Sequence, residues 1–174
     1  MTLNTPLVTF IGNSGSIIRK GGNGKQILVK ASSGSASIFI GAWVTRTGET
    51  AASKEVDLCA VGEQPDGIIL GAAPWEDDYA NLNKDSDDCF ADGTWLVMYI
   101  PEKGDEIAIT TKTNSAITAN TEVQVDGGFG AQYTFNAAGG TIQTETRTGI
   151  IGKLISAAIT ATAATEKMMW LECY

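Results

Sequence analysis

Two octapeptides, PDGIILGA at 65–72 and RTGIIGKL at 147–154, constrain the fold of this chain more than any other feature. Each carries Gly-Ile-Ile just after a polar stretch. Taken alone, the second could be a helix, because Ile151, Leu154, Ile155, Ala158 and Ile159 fall at helical spacing. In the first, Gly71 and Pro74 follow almost at once. Proline lacks the amide donor and collides with the preceding turn, so a helix there stops before its second turn. If the two are the same part used twice, both begin as strands.

The flanking spacing supports one part used twice. Ile38 precedes Val44 by six residues and Ile117 precedes Val123 by six; Gly48 and Gly127 each follow four residues after those valines. From Val44 to Gly67 is 23 residues and from Val123 to Gly149 is 26. Features in one order with similar gaps mark a duplicated β unit, with halves expected at 29–73 and 105–174. QILVKAS (26–32), TWLVMYI (94–100), DEIAITT (105–111) and MMWLECY (168–174) alternate or are β-branched and aromatic, as strands are. PEKGD between the middle two reads as the turn of a hairpin over 94–111. The expected fold is all-β, a compact barrel or sandwich over 29–174 preceded by a flexible N-terminal arm over 1–28.

Charge is divided along the chain. Residues 1–48 contain no Asp or Glu but carry Arg19, Lys20, Lys25, Lys30 and Arg46. All 20 acidic residues lie in the remainder, against 12 − 5 = 7 bases. The overall −8 argues against nucleic-acid binding, which needs a basic face; a basic front end on an acidic body reads either as a docking arm or as plain solvation. Three widely spaced cysteines, Cys59, Cys89 and Cys173, fit neither a disulfide framework nor a zinc site. The first residues lack the charged start and apolar block of a secretory leader, and the most apolar run, from Gly149, is broken by Lys153 and hydroxyl residues, so no membrane span is expected. Synthesis in a cytosol is the expectation.

The chain has no histidine, which removes Ser-His-Asp and Cys-His nucleophilic systems and His-ligated metals. KGGNGKQ is not a phosphate loop, since Arg19 stands where the first glycine should be and Gln26 follows Lys25. No cofactor is expected and no catalytic set stands out, so the chain reads as a binding protein and not an enzyme. One cluster tempts otherwise. Asn81, Asn83, Asp85 and Asp87 alternate oxygen donors and Asp92 sits twelfth, as in a calcium loop. The pattern breaks at Ser86, where the turn wants glycine, and at Asp92, where glutamate is usual, so a solvated acidic loop is the simpler reading. Trp43, Trp95 and Trp170 fall in expected strands, as core or subunit-contact residues. Trp75 alone is expected to be exposed, a thin basis for carbohydrate stacking.

The stretch YIPEKGDEIAITTKTNSAITANTEVQVDGGFGA, then RTGIIGKLISAA, then the closing MMWLECY, resembles the head decoration, or cement, proteins of tailed viruses. Those proteins share a Gly-Asp lead-in to a strand, a segment like SAITANTEVQV, a Gly-rich turn, a Gly-Ile-Ile strand and a closing strand. GAWVTRTGE with QPDGIILG looks like an earlier copy, so the resemblance covers roughly residues 27–174. It implies a small β protein, often a homotrimer, on the outer surface of a virion. There it binds the major capsid protein and ties coat subunits together. The arm is then the expected contact, with Leu7, Val8, Thr9, Phe10 and Ile11 able to add a strand to a coat-protein sheet edge, and Arg19 and Lys20 beside them. The alternative from another class is a β ligand-binding module using the acidic 75–92 loop for calcium or carbohydrate.

Overall fold

The computed structural model describes residues 18–20, 24–32, 38–47, 54–76, 89–110, 116–132, 149–155, 159–160 and 168–174. Among them there are thirteen strands and no helix. The alternating run after Gly24 becomes β2 (Lys25–Ala31), and the aromatic run becomes β6 (Trp95–Ile100). They pair antiparallel from Lys25↔Ile100 to Lys30↔Trp95. With β3 (Trp43–Arg46), β4 (Glu55–Leu58) and β5 (Gly67–Ala72) they form a closed barrel in the order β2-β4-β3-β5-β6. Closure is made by a short parallel pairing of β2 with β4, at Lys30↔Glu55 and Ala31↔Val56.

The first Gly-Ile-Ile element, β5, is buried on both faces. Ile69 packs inside the barrel with Val29, Val44, Leu96 and Met98, whereas Ile68 and Leu70 join a second core cluster. A strand covered on both sides needs apolar residues at consecutive positions, which is why this segment reads GIIL without alternation.

The second unit contains β7 (Glu106–Thr110), β8 (Ala116–Ile117), β9 (Glu122–Asp126), β10 (Phe129–Gln132), β11 (Ile150–Leu154), β12 (Ile159–Thr160) and β13 (Met168–Cys173). With β1 (Ile18–Lys20) at one edge, its main sheet runs β1-β7-β13-β11-β9-β10, and β12 and β8 pair separately. The order β2-β6-β5-β3-β4 of the first unit thus recurs as β7-β13-β11-β9-β10. The registers recur too. Val29↔Leu96 and Lys30↔Trp95 correspond to Ile107↔Leu171 and Ala108↔Trp170. This lays Trp95-Leu96-x-x-Tyr99 on Trp170-Leu171-x-x-Tyr174, a second repeated motif. Each Gly-Ile-Ile strand is also irregular once, but on different ladders: β5 against β6 between Ile69 and Gly71, and β11 against β9 between Ile150 and Gly152.

Four expectations change. The spacing equated Val44 with Val123, but the ladder sets Val125, whose amide donates to the carbonyl of Gly149 (2.9 Å), opposite that glycine as Val44 is opposite Gly67. A shift of two keeps every side chain on its face, so alternation cannot detect it. The hairpin over 94–111 is not formed. The neighbours of β6 are β2 and β5, those of β7 are β1 and β13, and residues 101–105 link one unit to the other. The first unit therefore extends to β6, beyond the expected limit of residue 73. As for the arm, Ile18–Lys20 and Lys25 onward already belong to sheets, while residues 1–17 lie outside the described residues.

Candidate functional site

The two units meet along a seam that holds most of the unusual chemistry. Its core joins Trp43, Cys59, Ile68, Leu70 and Tyr99 of the first unit to Ile107, Val123, Val125, Leu154 and Leu171 of the second. The former lie on the outer face of the barrel. The latter occupy positions whose counterparts in the first unit, such as Val29 and Leu96, fill that barrel's interior. The outside of one repeat therefore plugs the inside of the next, a head-to-tail arrangement of unlike faces.

Hydrogen bonds lock the seam at one end. The β9–β10 turn reaches across so that the Trp43 amide donates to the Gly128 carbonyl (2.9 Å) and the Gly128 amide donates to the Cys59 carbonyl (3.1 Å). Next to this turn the rings of Phe39 and Phe129 stack with centroids 4.5 Å apart. Gly128 has φ +85°, and a Cβ there would stand 2.7 Å from Leu58 Cδ2. This close approach in the left-handed region requires glycine.

At the other end a buried carboxylate ties the linker to both units. Asp105 is 3% exposed. Its Oδ2 accepts from the Tyr99 hydroxyl (2.5 Å) and from the Glu102 amide (2.9 Å), and the Gly24 amide donates to the same Tyr99 oxygen (3.0 Å). The Cys173 amide donates to the Asp105 carbonyl (2.8 Å), and the Gly104 amide returns a bond to the Cys173 carbonyl (2.9 Å). The end of β6, the start of β2, the linker and the end of β13 are thereby held at one point. Burial first, then the bond to Asp105, pushes the Tyr99 phenol up from its ordinary value, against a smaller lowering by the Gly24 amide.

Between these locks lies a cleft of about 230 Å³, bordered by Trp43, Pro65, Pro101, Ile150 and Tyr174 and by the polar Gln64 and Asp66. The buried indole nitrogen of Trp43 has no acceptor among the described residues. Asp66 on the rim accepts from the Arg46 amide (2.8 Å) and from its guanidinium (2.8 and 3.1 Å). The pair is exposed, so it contributes little to stability, though it orients the rim.

The expected site residues fall apart spatially. Arg19 and Lys20 stand on β1, with Lys20 the register partner of Glu106. Leu7, Val8, Thr9, Phe10 and Ile11 lie outside the described residues, as do Asn81, Asn83, Asp85 and Asp87. Asp92 is exposed in the turn before β6. Among the described residues no group of three or more His, Cys, Asp or Glu side chains could hold a metal ion. Trp43 is core, Trp95 and Trp170 are half-buried, and Trp75 is exposed, as its loop position implied. Lys54 lies over the Trp95 ring at 5.8 Å. No helix among the described residues is long and apolar enough to cross a membrane. Sequence reasoning missed Tyr99 and Asp105, although the Trp-Leu-x-x-Tyr repeat was a usable signal for the first.

The three cysteines are free thiols, and two sit at the seam. Cys59 is pushed up to about 12 by burial first, then by Glu63 and Asp66. Cys173 is pushed to about 12 by burial, then Asp105 and Glu172. A raised acid means that the folded chain keeps protons that the unfolded chain releases, so stability is full below about pH 9 and is lost progressively toward pH 12. Urea midpoints measured from pH 7.5 to 11 are expected to fall steadily above pH 9, and Cys59→Ala with Cys173→Ala should flatten the first part of that fall. A flat profile to pH 11 in the natural chain would contradict this account.

No protein-family model matches the chain, and no curated protein matches it at a significant level.

Proposed function

We propose that this chain is a virion decoration protein that binds the outer surface of a capsid and stabilises it by bridging coat subunits. The observation that carries the reading is where the motifs of the resemblance fall. The Gly104-Asp105 lead-in opens β7, SAITANTEVQV spans β8 and β9, the Gly-rich turn is the β9–β10 connection, and the Gly-Ile-Ile and closing segments are β11 and β13. Motifs scattered along the sequence thus become one coherent β unit, and the unit is present twice. Such a body suits a clamp: two β units locked head to tail resist shear, and many copies on a lattice turn weak single contacts into firm attachment. Its major partner is the capsid protein, its assembly a homotrimer, its place the capsid exterior after synthesis in the host cytoplasm, and its action binding without catalysis.

The arm supplies the attachment, with Leu7–Ile11 adding a strand to a coat-protein edge. Deletion of residues 1–17, which spares β1, is expected on this reading to leave the melting temperature within about 2 °C, because the arm's role is attachment and not folding. Sedimentation with expanded capsids should show at least tenfold weaker attachment, about 1.4 kcal/mol. Undiminished attachment would remove the arm from the mechanism. Loss of attachment by both the full chain and the truncated chain would remove the decoration reading itself.

A further inference from the structure

The duplication shows where the second unit departs from the first. In the barrel, β2 has β6 on one side and β4 on the other, so the repeat closes on itself. In the second unit β7 stands where β2 stands and β13 where β6 stands. The counterpart of β4 is β10, and its ladder partner is β9 alone among the described residues. The remaining edge of β7 is covered instead by β1, a strand from the far end of the chain, running antiparallel where β4 runs parallel to β2. An uncovered strand edge is a template for any extended segment, so the second unit depends on a strand from outside its own repeat.

We infer that β1 is an exchangeable strand: the β7 edge accepts Ile18–Lys20 from a second copy of this chain as readily as from its own. Four observations support this. The pairing is short, with partners Ile18↔Ile107 and Lys20↔Glu106 and an irregular register between them, so few backbone bonds must be broken. The residues joining β1 to β2 are Gly21, Gly22, Asn23 and Gly24, a composition with little preference for one path over another. Gly24 is fixed at the seam through its amide bond to Tyr99, so β2 keeps its place whichever copy supplies β1. Finally, an exchanged strand makes the same backbone pairing as before, with Ile18 opposite Ile107 and Lys20 opposite Glu106, so only association entropy opposes exchange. Copies brought together on a surface have that cost largely met, and exchange would then link neighbours through their own sheets. The inference does not depend on the capsid reading.

The test uses full-length chains in a Cys89→Ser background, because Cys89 is exposed whereas Cys59 and Cys173 are buried. Lys20→Cys and Glu106→Cys are made singly, in separately tagged chains, and together in one chain. The double variant should close an intrachain disulfide under mild oxidation, which checks the register. Mixed single variants hold one partner each, so strand exchange gives a covalent hetero-pair carrying both tags, at twice the chain mass on a non-reducing gel, in excess over the homo-pairs that random collision of the same thiols produces. The expected result is such hetero-pairs, increasing with protein concentration and abolished when either cysteine is absent. Intrachain closure of the double variant with no excess of hetero-pair in the mixture overturns the exchange. Failure of the double variant to close overturns the β1–β7 pairing on which the inference stands.

Discussion

Gly128→Ala is expected to lower the melting temperature by roughly 5–15 °C. Two costs combine. The residue holds φ +85°, and a side chain in the left-handed region costs about 1–2 kcal/mol. The new methyl would also stand 2.7 Å from Leu58 Cδ2, and overpacking of a filled contact costs about 1–3 kcal/mol. For a chain of this size each kcal/mol is worth about 2–4 °C. Gly127→Ala supplies the comparison, since its φ is +59° but nothing lies within 4 Å of its Cβ position. Only the backbone cost applies there, for a fall of about 2–8 °C by the same conversion. Equal effects in thermal melts would show that the turn is not pressed against the first unit.

Asp105→Ala carries the other large effect, a loss of about 2–4 kcal/mol. It leaves the buried Tyr99 hydroxyl without its acceptor, at about 1–3 kcal/mol, and the part-buried Glu102 amide loses a charge-assisted bond worth about 1 kcal/mol. Tyr99→Phe removes the bond from the other side and takes the acceptor from the Gly24 amide, while Asp105 Oδ2 keeps the Glu102 amide, for about 1–3 kcal/mol. Because the two changes share one bond, the double variant should be less destabilised than the sum, with a coupling of about 1–3 kcal/mol in urea titrations. A strictly additive pair would mean that the bond does not hold the units together. Tyr99→Phe should also remove part of the alkaline fall, since a phenol held protonated in the folded state favours unfolding above about pH 10.

The strands were legible because their residues carry the signal locally. The runs at 26–32, 94–100 and 168–174 alternate or are rich in β-branched and aromatic residues, and each appears as a strand within a residue or two. Pairing was less legible. Neighbouring strands usually pair, and PEKGD has ordinary turn chemistry, so β6 and β7 read as a hairpin. In the folded chain each had better partners inside its own repeat. The seam was harder still. An Asp just before a strand is commonplace, and nothing near position 105 shows that it will be buried against a tyrosine from the preceding strand.

Gly-Ile-Ile used twice, with the matched spacing and the alternating runs around it, was enough to establish an all-β chain with a repeated unit, because periodicity and turn residues act over a few neighbours. What they left open was decided by packing. The two repeats carry nearly the same strand pattern, yet one closes through β4 and the other takes β1 at its edge. One buries four consecutive residues of its Gly-Ile-Ile strand, Gly67 to Leu70, whereas the other leaves Ile150 and Lys153 half-buried. That asymmetry follows from stacking the outside of one unit against the inside of the next. A head-to-tail contact gives equivalent positions unequal surroundings, and only the tertiary structure specifies which position receives which.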